Sequence, residues 1–352
     1  MNQAENIAGY LEQFYRVSEY PALIRQVEEF RNSGVFRNRR LFDATPVFRN
    51  TLAKYLPLIA GGAQLTVGVN SRVPHDQEIV RLLKSWDIEV IEENPDAERN
   101  FDIVMDCAGV YTGVKSNCGY VELTRSGLYH YRDSSSPVFF ADGGRIKLIE
   151  TALGTGDGFV RAMQKSGFGD FDGRKIVIFG CGKVGRGIAV CASAKGADVI
   201  AVDSPDVIPP VNVKIVDMNS PDSIDRALEN AWCVVSVTGK ANAWKGRFNI
   251  AKLLDSSSLI VNMGVEDEFG PEVPEQRVMN NKKPLNFLLD EPTRMRYIEA
   301  TMALDNSGAA WLLQNTGHKG IIMPPEDMEN GILAISAQYG EIRDELKAME
   351  LM

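Results

Sequence analysis

Gly180-Cys181-Gly182-Lys183-Val184-Gly185 is a GxGxxG run set between an apolar segment, 175–179, and an amphipathic one, 184–195. Between a strand and a helix, such a run is built for a pyrophosphate. Gly180 makes the tight turn, Gly182 lets backbone N–H groups approach the phosphates, and Gly185 lets helix and strand pack closely. Lys183 and Val184 open the helix, whose N-terminus adds partial positive charge. The next predicted strand, 198–202, runs into Asp203. A carboxylate there accepts hydrogen bonds from an adenosine ribose and repels a 2′-phosphate, which predicts NAD rather than NADP. Thr238-Gly239 and Asn262-Met263-Gly264 close two further predicted strands, where small residues would admit the nicotinamide half. Cys181 reads as a small residue tolerated in the loop.

Acid–base candidates are fewer. The chain has three histidines, His75, His130 and His318. Its five cysteines, Cys107, Cys118, Cys181, Cys191 and Cys233, form no CxxC pair, so no zinc or other metal site is expected. Asp106 closes a predicted strand and is a candidate acid or base. Lys147 and Glu150 stand three apart, one helical turn, and are expected to share a face. His130 lies in an aromatic loop and is a further candidate. His318 falls in a glycine-flanked loop, and His75 reads as a helix-start residue. Asn306 and Ser307 are expected to cap a helix, and the acidic run 266–268 to form a solvated loop. The methionines read as core filler.

These residues need a scaffold that aims strand ends at one edge. Residues 5–32 show two helical patterns broken near Pro21. Apolar runs at 65–69, 88–91, 101–105, 120–123 and 137–140 alternate with helical segments, the pattern of a mostly parallel sheet. A helix is expected over 145–165, interrupted by Gly154 and Gly156-Asp157-Gly158, with a hinge there. A second series of strands is expected at 175–179, 198–202, 213–216, 233–237, 259–262 and 285–289, with helices again at 308–314 and 328–349. The fold class is therefore α/β, with two doubly wound, Rossmann-like domains.

With 352 residues, two domains are the natural expectation. Apolar residues at 44% and charged residues at 24% suit an ordinary globular chain. A formal charge of −9 disfavours nucleic acid and anionic membrane as partners. No apolar run is long enough to span a bilayer, and the N-terminus lacks the pattern of a signal peptide. Scattered, unpaired cysteines fit a reducing compartment, so a cytoplasmic location is expected.

The order of motifs resembles the S-adenosylhomocysteine hydrolase (adenosylhomocysteinase) family over most of the chain. The likeness is clearest over 173–187, 196–203, Val237-Thr238-Gly239 and Val261-Asn262-Met263-Gly264. Upstream, Glu122-Leu123-Thr124-Arg125-Ser126-Gly127 resembles a family segment whose hydroxyls touch NAD, which implies Thr124 and Ser126 as cofactor contacts. The resemblance implies a central NAD domain, 155–304, inserted in a split substrate domain, 1–154 plus 305–352. It also implies a homo-oligomer, dimer or tetramer, and a small-molecule substrate.

The likeness fails where that family handles protons. Ser71, Val265 and Leu304 fall where histidines are expected. The family lysine position falls on Ile146, between Arg145 and Lys147, while Glu150 and Thr151 take its Asp and Asn positions. Each missing acid or base typically costs about 100–10,000-fold. The expectation is therefore an NAD-dependent oxidoreductase acting by hydride transfer on a small polar metabolite or nucleoside. The alternatives are a true adenosylhomocysteinase with an altered proton path, and a catalytically silent NAD-binding regulatory protein.

Overall fold

The computed structural model describes residues 2–96, 98–349 and 351. It divides the chain into two compact units, one of Met1–Ile149 with Arg294–Met352, the other of Glu150–Thr293. Both are α/β layers on parallel sheets.

The first unit holds strands β1 (Arg40–Asp43), β2 (Gln64–Gly68), β3 (Glu89–Ile91), β4 (Asn100–Asp106), β5 (Lys115–Glu122) and β6 (Val138–Phe140), with β12 (Ile321–Ile322) added late in the chain. All pair in parallel, in the order β12-β6-β5-β4-β1-β2-β3. The chain builds outward from β1 to β3, then returns beside β1 and builds the other way. The crevice beyond β1 and β4 is thus the switch point at which such sheets take ligands. The central strand β1 has no clear signature in the sequence: Leu41 and Phe42 follow a basic stretch, yet both are fully buried. Helix Met295–Gln314 lies directly on this sheet, and a Cβ on Gly308 would stand 2.5 Å from the Phe139 ring.

The second unit holds β7 (Lys175–Phe179), β8 (Asp198–Asp203), β9 (Lys214–Asp217), β10 (Cys233–Ser236) and β11 (Leu259–Asn262), in the order β11-β10-β7-β8-β9. All are parallel, the 3-2-1-4-5 order of the dinucleotide-binding fold. Both faces of this sheet are covered. Ile176, Ile178 and Val235 join one core, while Val177, Phe179 and Val234 join another around Trp244. That is why these strands read as continuous apolar runs rather than alternating ones.

Several expected elements differ. Residues 285–289 form no strand but a 3₁₀ turn, Leu285–Leu288, with Leu285 buried in the core of the second unit. A short apolar run fills a core equally well in either form. The expected domain boundary at 304/305 falls inside the continuous helix Met295–Gln314, so the chain leaves the second unit at Thr293/Arg294 instead. The other division falls at Ile149/Glu150 rather than 154/155. Asn306 and Ser307 sit in mid-helix and cap nothing. The expected helix 328–349 is two, Glu326–Tyr339 and Arg343–Ala348, parted at Gly340.

Gly156 and Gly158 do not break a helix; both lie within Thr155–Lys165 and are buried. Their role is close packing. A Cβ on Gly156 would lie 2.4 Å from the Gly187 carbonyl oxygen, and one on Gly187 would lie 2.0 Å from that of Ala152. Gly187→Ala must therefore push two backbones apart, and we expect it to destabilise the second unit by about 1–3 kcal/mol. Gly9→Ala, in helix Gln3–Leu11 with open space around its Cβ, should be neutral or slightly stabilising. Thermal unfolding of both variants checks the contrast.

Candidate functional site

In the second unit, β7 delivers the chain into a left-handed Gly180, φ 99°, whose Cβ would lie 2.5 Å from the Val237 carbonyl oxygen. A Cβ on Gly185 would meet the Gly180 oxygen at 1.9 Å, so the loop folds tightly onto the first turn of helix Lys183–Ser193. Gly182 is the N-cap of that helix, exposed, with open space where its Cβ would be. A bare helix N-terminus beside an open cradle suits a pyrophosphate. Lys183 and Val184 are half-buried at the start of this helix, and Val184 packs against the core. Asp203 ends β8 with its carboxylate against the loop. Its Oδ2 accepts from the Cys181 N–H at 2.6 Å and its Oδ1 from the Ser204 N–H at 2.7 Å. Alongside runs a groove of about 200 Å³, lined among others by Gly182, Asp203, Met218, Thr238, Lys240 and Arg247. Cys181 is buried, and burial pushes its thiol pKa up, against a role as nucleophile.

The exits of β10 and β11 are tied together from within. Asn262 Oδ1 accepts from the Gly264 N–H at 2.9 Å, and its Nδ2 donates to the carbonyls of Lys282 at 2.6 Å and Glu266 at 3.3 Å. The amides of Thr238 and Gly239 both donate to Glu268, each at 2.7 Å. The acidic run is a loop whose Glu266 and Asp267 are exposed, as expected, but its third member, Glu268, is fully buried. Asp267 accepts from the amides of Phe269 and Gly270 and pairs with Lys282 at 3.0 Å. Periodicity could not reveal this, because the donors come from a segment some thirty residues earlier.

In the first unit, Asp106 at the end of β4 is in register with Glu122 at the end of β5, and both are fully buried. Asp106 accepts from the N–H groups of Cys107 and Tyr111 at 2.7 and 2.9 Å and from the Tyr131 hydroxyl at 2.6 Å. Glu122 accepts from the N–H groups of Ala108, Gly109 and Thr124 and from the Thr124 hydroxyl. Burial and the neighbouring Asp106 push Glu122 up to about 8, against these donors. Asp106 is itself raised by burial. Asp106 therefore anchors its own loop. Ala108 and Gly109 are both left-handed, φ 60° and 63°, a strained step that the carboxylate bonds hold in place. Thr124 caps the short helix Arg125–Leu128, in which Ser126 is exposed. His130 is exposed, with its ring over Gly109.

A second buried cluster sits behind β1. Lys54 Nζ lies 2.5 Å from both Asp43 and Asp305, and 3.1 Å from the Thr45 hydroxyl. Removing one partner of such a cluster typically costs about 3–5 kcal/mol. Burial, then the charge of Asp43, raises Asp305 to about 6, while Lys54 and Lys147 pull it down. Lys147 is thus a buried neighbour of this cluster. Glu150 is half-buried in the π-turn Ile149–Gly154, one turn beyond Lys147. His318 is exposed against Trp311, and His75 bonds locally to Val73 and Gln77. Among the described residues, no group of His, Cys, Asp and Glu is arranged to hold a metal ion. Among them too, no helix is long and apolar enough to cross a membrane.

Sequence reasoning gave no role to Tyr131 or the Lys54 cluster, placed Glu268 in a solvated loop, and named Glu122 only within the segment that resembles the family. Glu122 also carried a signal of its own, as an acid on a predicted strand, like Asp106.

No family model matches the chain. It is 22% identical over 362 aligned residues to the adenosylhomocysteinase of Thermoplasma acidophilum, covering 94% of this chain and 86% of that protein, which supports a relation to that family. Among solved structures it is similar to one of the chains of dipicolinate synthase from Bacillus halodurans, at 10% identity and a TM-score of 0.48, over 76% of this chain and 96% of that one. It is also similar to a transhydrogenase from Sinorhizobium meliloti, at 13% identity and a TM-score of 0.46, over 78% and 95%.

The raised carboxyls set a pH dependence. Glu122 at about 8, Asp305 at about 6 and the buried Glu299 at about 7 all lie above their unfolded values near 4. Between those limits the folded chain binds more protons than the unfolded one, so stability falls as pH rises. We expect the first unit to lose stability from about pH 4.5 to 8 and to level off above. Glu122→Gln should flatten the part nearest pH 8. Denaturant titrations across that range measure the slope.

Proposed function

We propose that this protein is an NAD-dependent oxidoreductase of adenosylhomocysteinase-like architecture, acting by hydride transfer on a small polar metabolite or nucleoside. The observation that carries the reading is the Asp203 carboxylate at the end of β8, beside an open glycine loop and a bare helix N-terminus. The loop amides would hold the pyrophosphate and Asp203 the adenosine ribose, which favours NAD over NADP. Thr238, Gly239, Asn262 and Gly264 would bound the nicotinamide half. When bound, NAD supplies the hydride acceptor. The chain must then take the proton that the substrate's alcohol or amine gives up.

For that proton we favour Lys147, buried beside Asp305. The lysine would take it as the neutral amine, the form that burial favours. Asp106 would act on substrate only if its loop released it, because three donors already hold it. That engagement favours a second reading, an NAD-binding protein without turnover. Hydrolysis of adenosylhomocysteine has weaker support: the family's histidine positions hold Val265, exposed, and Leu304, fully buried, and neither can carry a proton.

Two measurements separate these readings. Mass spectrometry of the small molecules released on denaturation, followed by titration with NAD and NADP, tests the cofactor. Asp203→Ala should weaken NAD by roughly 10–100-fold, as expected for lost bonds to a charged acceptor, and should narrow the preference over NADP. A wild-type protein that takes up neither dinucleotide would sink the proposal. Lys147→Ala should lower turnover by about 100–10,000-fold while NAD affinity stays unchanged. Full activity in that variant on an identified substrate would remove Lys147 from the site.

A further inference from the structure

We propose that Glu268 is a positioning and tuning residue for the cofactor, biasing a bound nicotinamide towards its oxidised, positively charged form. This rests on the dinucleotide reading above. In the order β11-β10-β7-β8-β9, Asp203 claims the β8 side for the adenosine half and the glycine loop follows β7. The remaining half must then cross the exits of β10 and β11.

Glu268 organises both exits. Its Oε2 accepts from the Ser236 hydroxyl at 2.5 Å, the Thr238 N–H at 2.7 Å and the Thr238 hydroxyl at 2.9 Å. Its Oε1 accepts from the Gly239 N–H at 2.7 Å. On the β11 side, a Cβ on Gly264 would lie 2.3 Å from that same oxygen, so glycine alone leaves room for the carboxylate beneath the turn. Two of the four donors are backbone amides, which can only donate, and the arrangement suits the ionised acid. Among the described residues no cation pairs with Glu268, whereas its neighbour Asp267 is matched by Lys282.

A buried, unpaired negative charge acts over several ångströms far more strongly than one in water. A nicotinamide ring is positive when oxidised and neutral when reduced. A charge beneath the β10 and β11 exits therefore holds the oxidised ring more tightly than the reduced one. A residue that merely braced the loop would treat the two alike.

Equilibrium binding of NAD⁺ and of NADH to the full chain, wild type and E268Q, tests this. The wild type should bind NAD⁺ at least as tightly as NADH. E268Q should raise the ratio Kd(NAD⁺)/Kd(NADH) by about tenfold, a rise of about 30 mV in the potential of the bound two-electron couple. Equal loosening of both forms, or no change, overturns the tuning role while leaving the dinucleotide reading intact. Should E268Q fail to fold, the wild type still decides: NADH bound tighter than NAD⁺ overturns the proposal. A wild type that binds neither form overturns both readings together.

Discussion

A parallel sheet ends all its strands at one edge, and the loops leaving that edge present backbone N–H groups that the sheet itself does not satisfy. This chain meets the demand with carboxylates. In the first unit Asp43 accepts from the Thr45 N–H, Asp106 from Cys107 and Tyr111, and Glu122 from Ala108, Gly109 and Thr124. In the second, Asp203 accepts from Cys181 and Ser204, and Glu268 from Thr238 and Gly239. Bonds of this kind to an ionised acid are about twice as strong as neutral ones, and the Asp203 bond to Cys181 fixes the loop directly after the left-handed Gly180. The loops that would meet a ligand are therefore set before it arrives.

Holding loops with buried acids costs desolvation. The chain offsets it in two ways. Where a cation is within reach, as with Lys54 between Asp43 and Asp305, it offsets part of the negative charge, and Asp305 is raised to about 6 by burial and by Asp43. Where none is, the acid either gathers several donors, as Glu268 does, or keeps its proton into the neutral range, as Glu122 and Glu299 do. The same devices that shape the loops thus make the first unit's stability depend on pH. The two consequences cannot be separated by substitution at a single acid without also moving its loop.

The two units differ in how much of a recognisable site they keep. The second retains the strand order, the glycine turn and the strand-end acid of a dinucleotide fold, with helices brought into backbone contact through Gly156 and Gly187. The first retains the switch point between β1 and β4, but its strand-end acids are turned inward on their own loops. That asymmetry accords with the proposal of a dinucleotide at the strand ends of the second unit.

Local pattern was enough to read the alternation of strands and helices, the GxGxxG turn and Asp203, because each rests on residues close together in the chain. It also marked Asp106 as a strand-end acid. What only the tertiary structure decided lies in contacts between distant segments. Lys54 finds Asp305, Gln26 finds the Ala303 carbonyl and Ser307, and Glu268 finds the β10 exit across intervening elements. Strand β1 is central because β2 and β4 flank it, not because four residues announce it. The helix Met295–Gln314 runs through the expected boundary because its buried face is claimed by the sheet and by the Pro21–Ser33 helix. Periodicity reports which face is apolar; which polar groups meet across that face is settled only when burial leaves each of them one available partner.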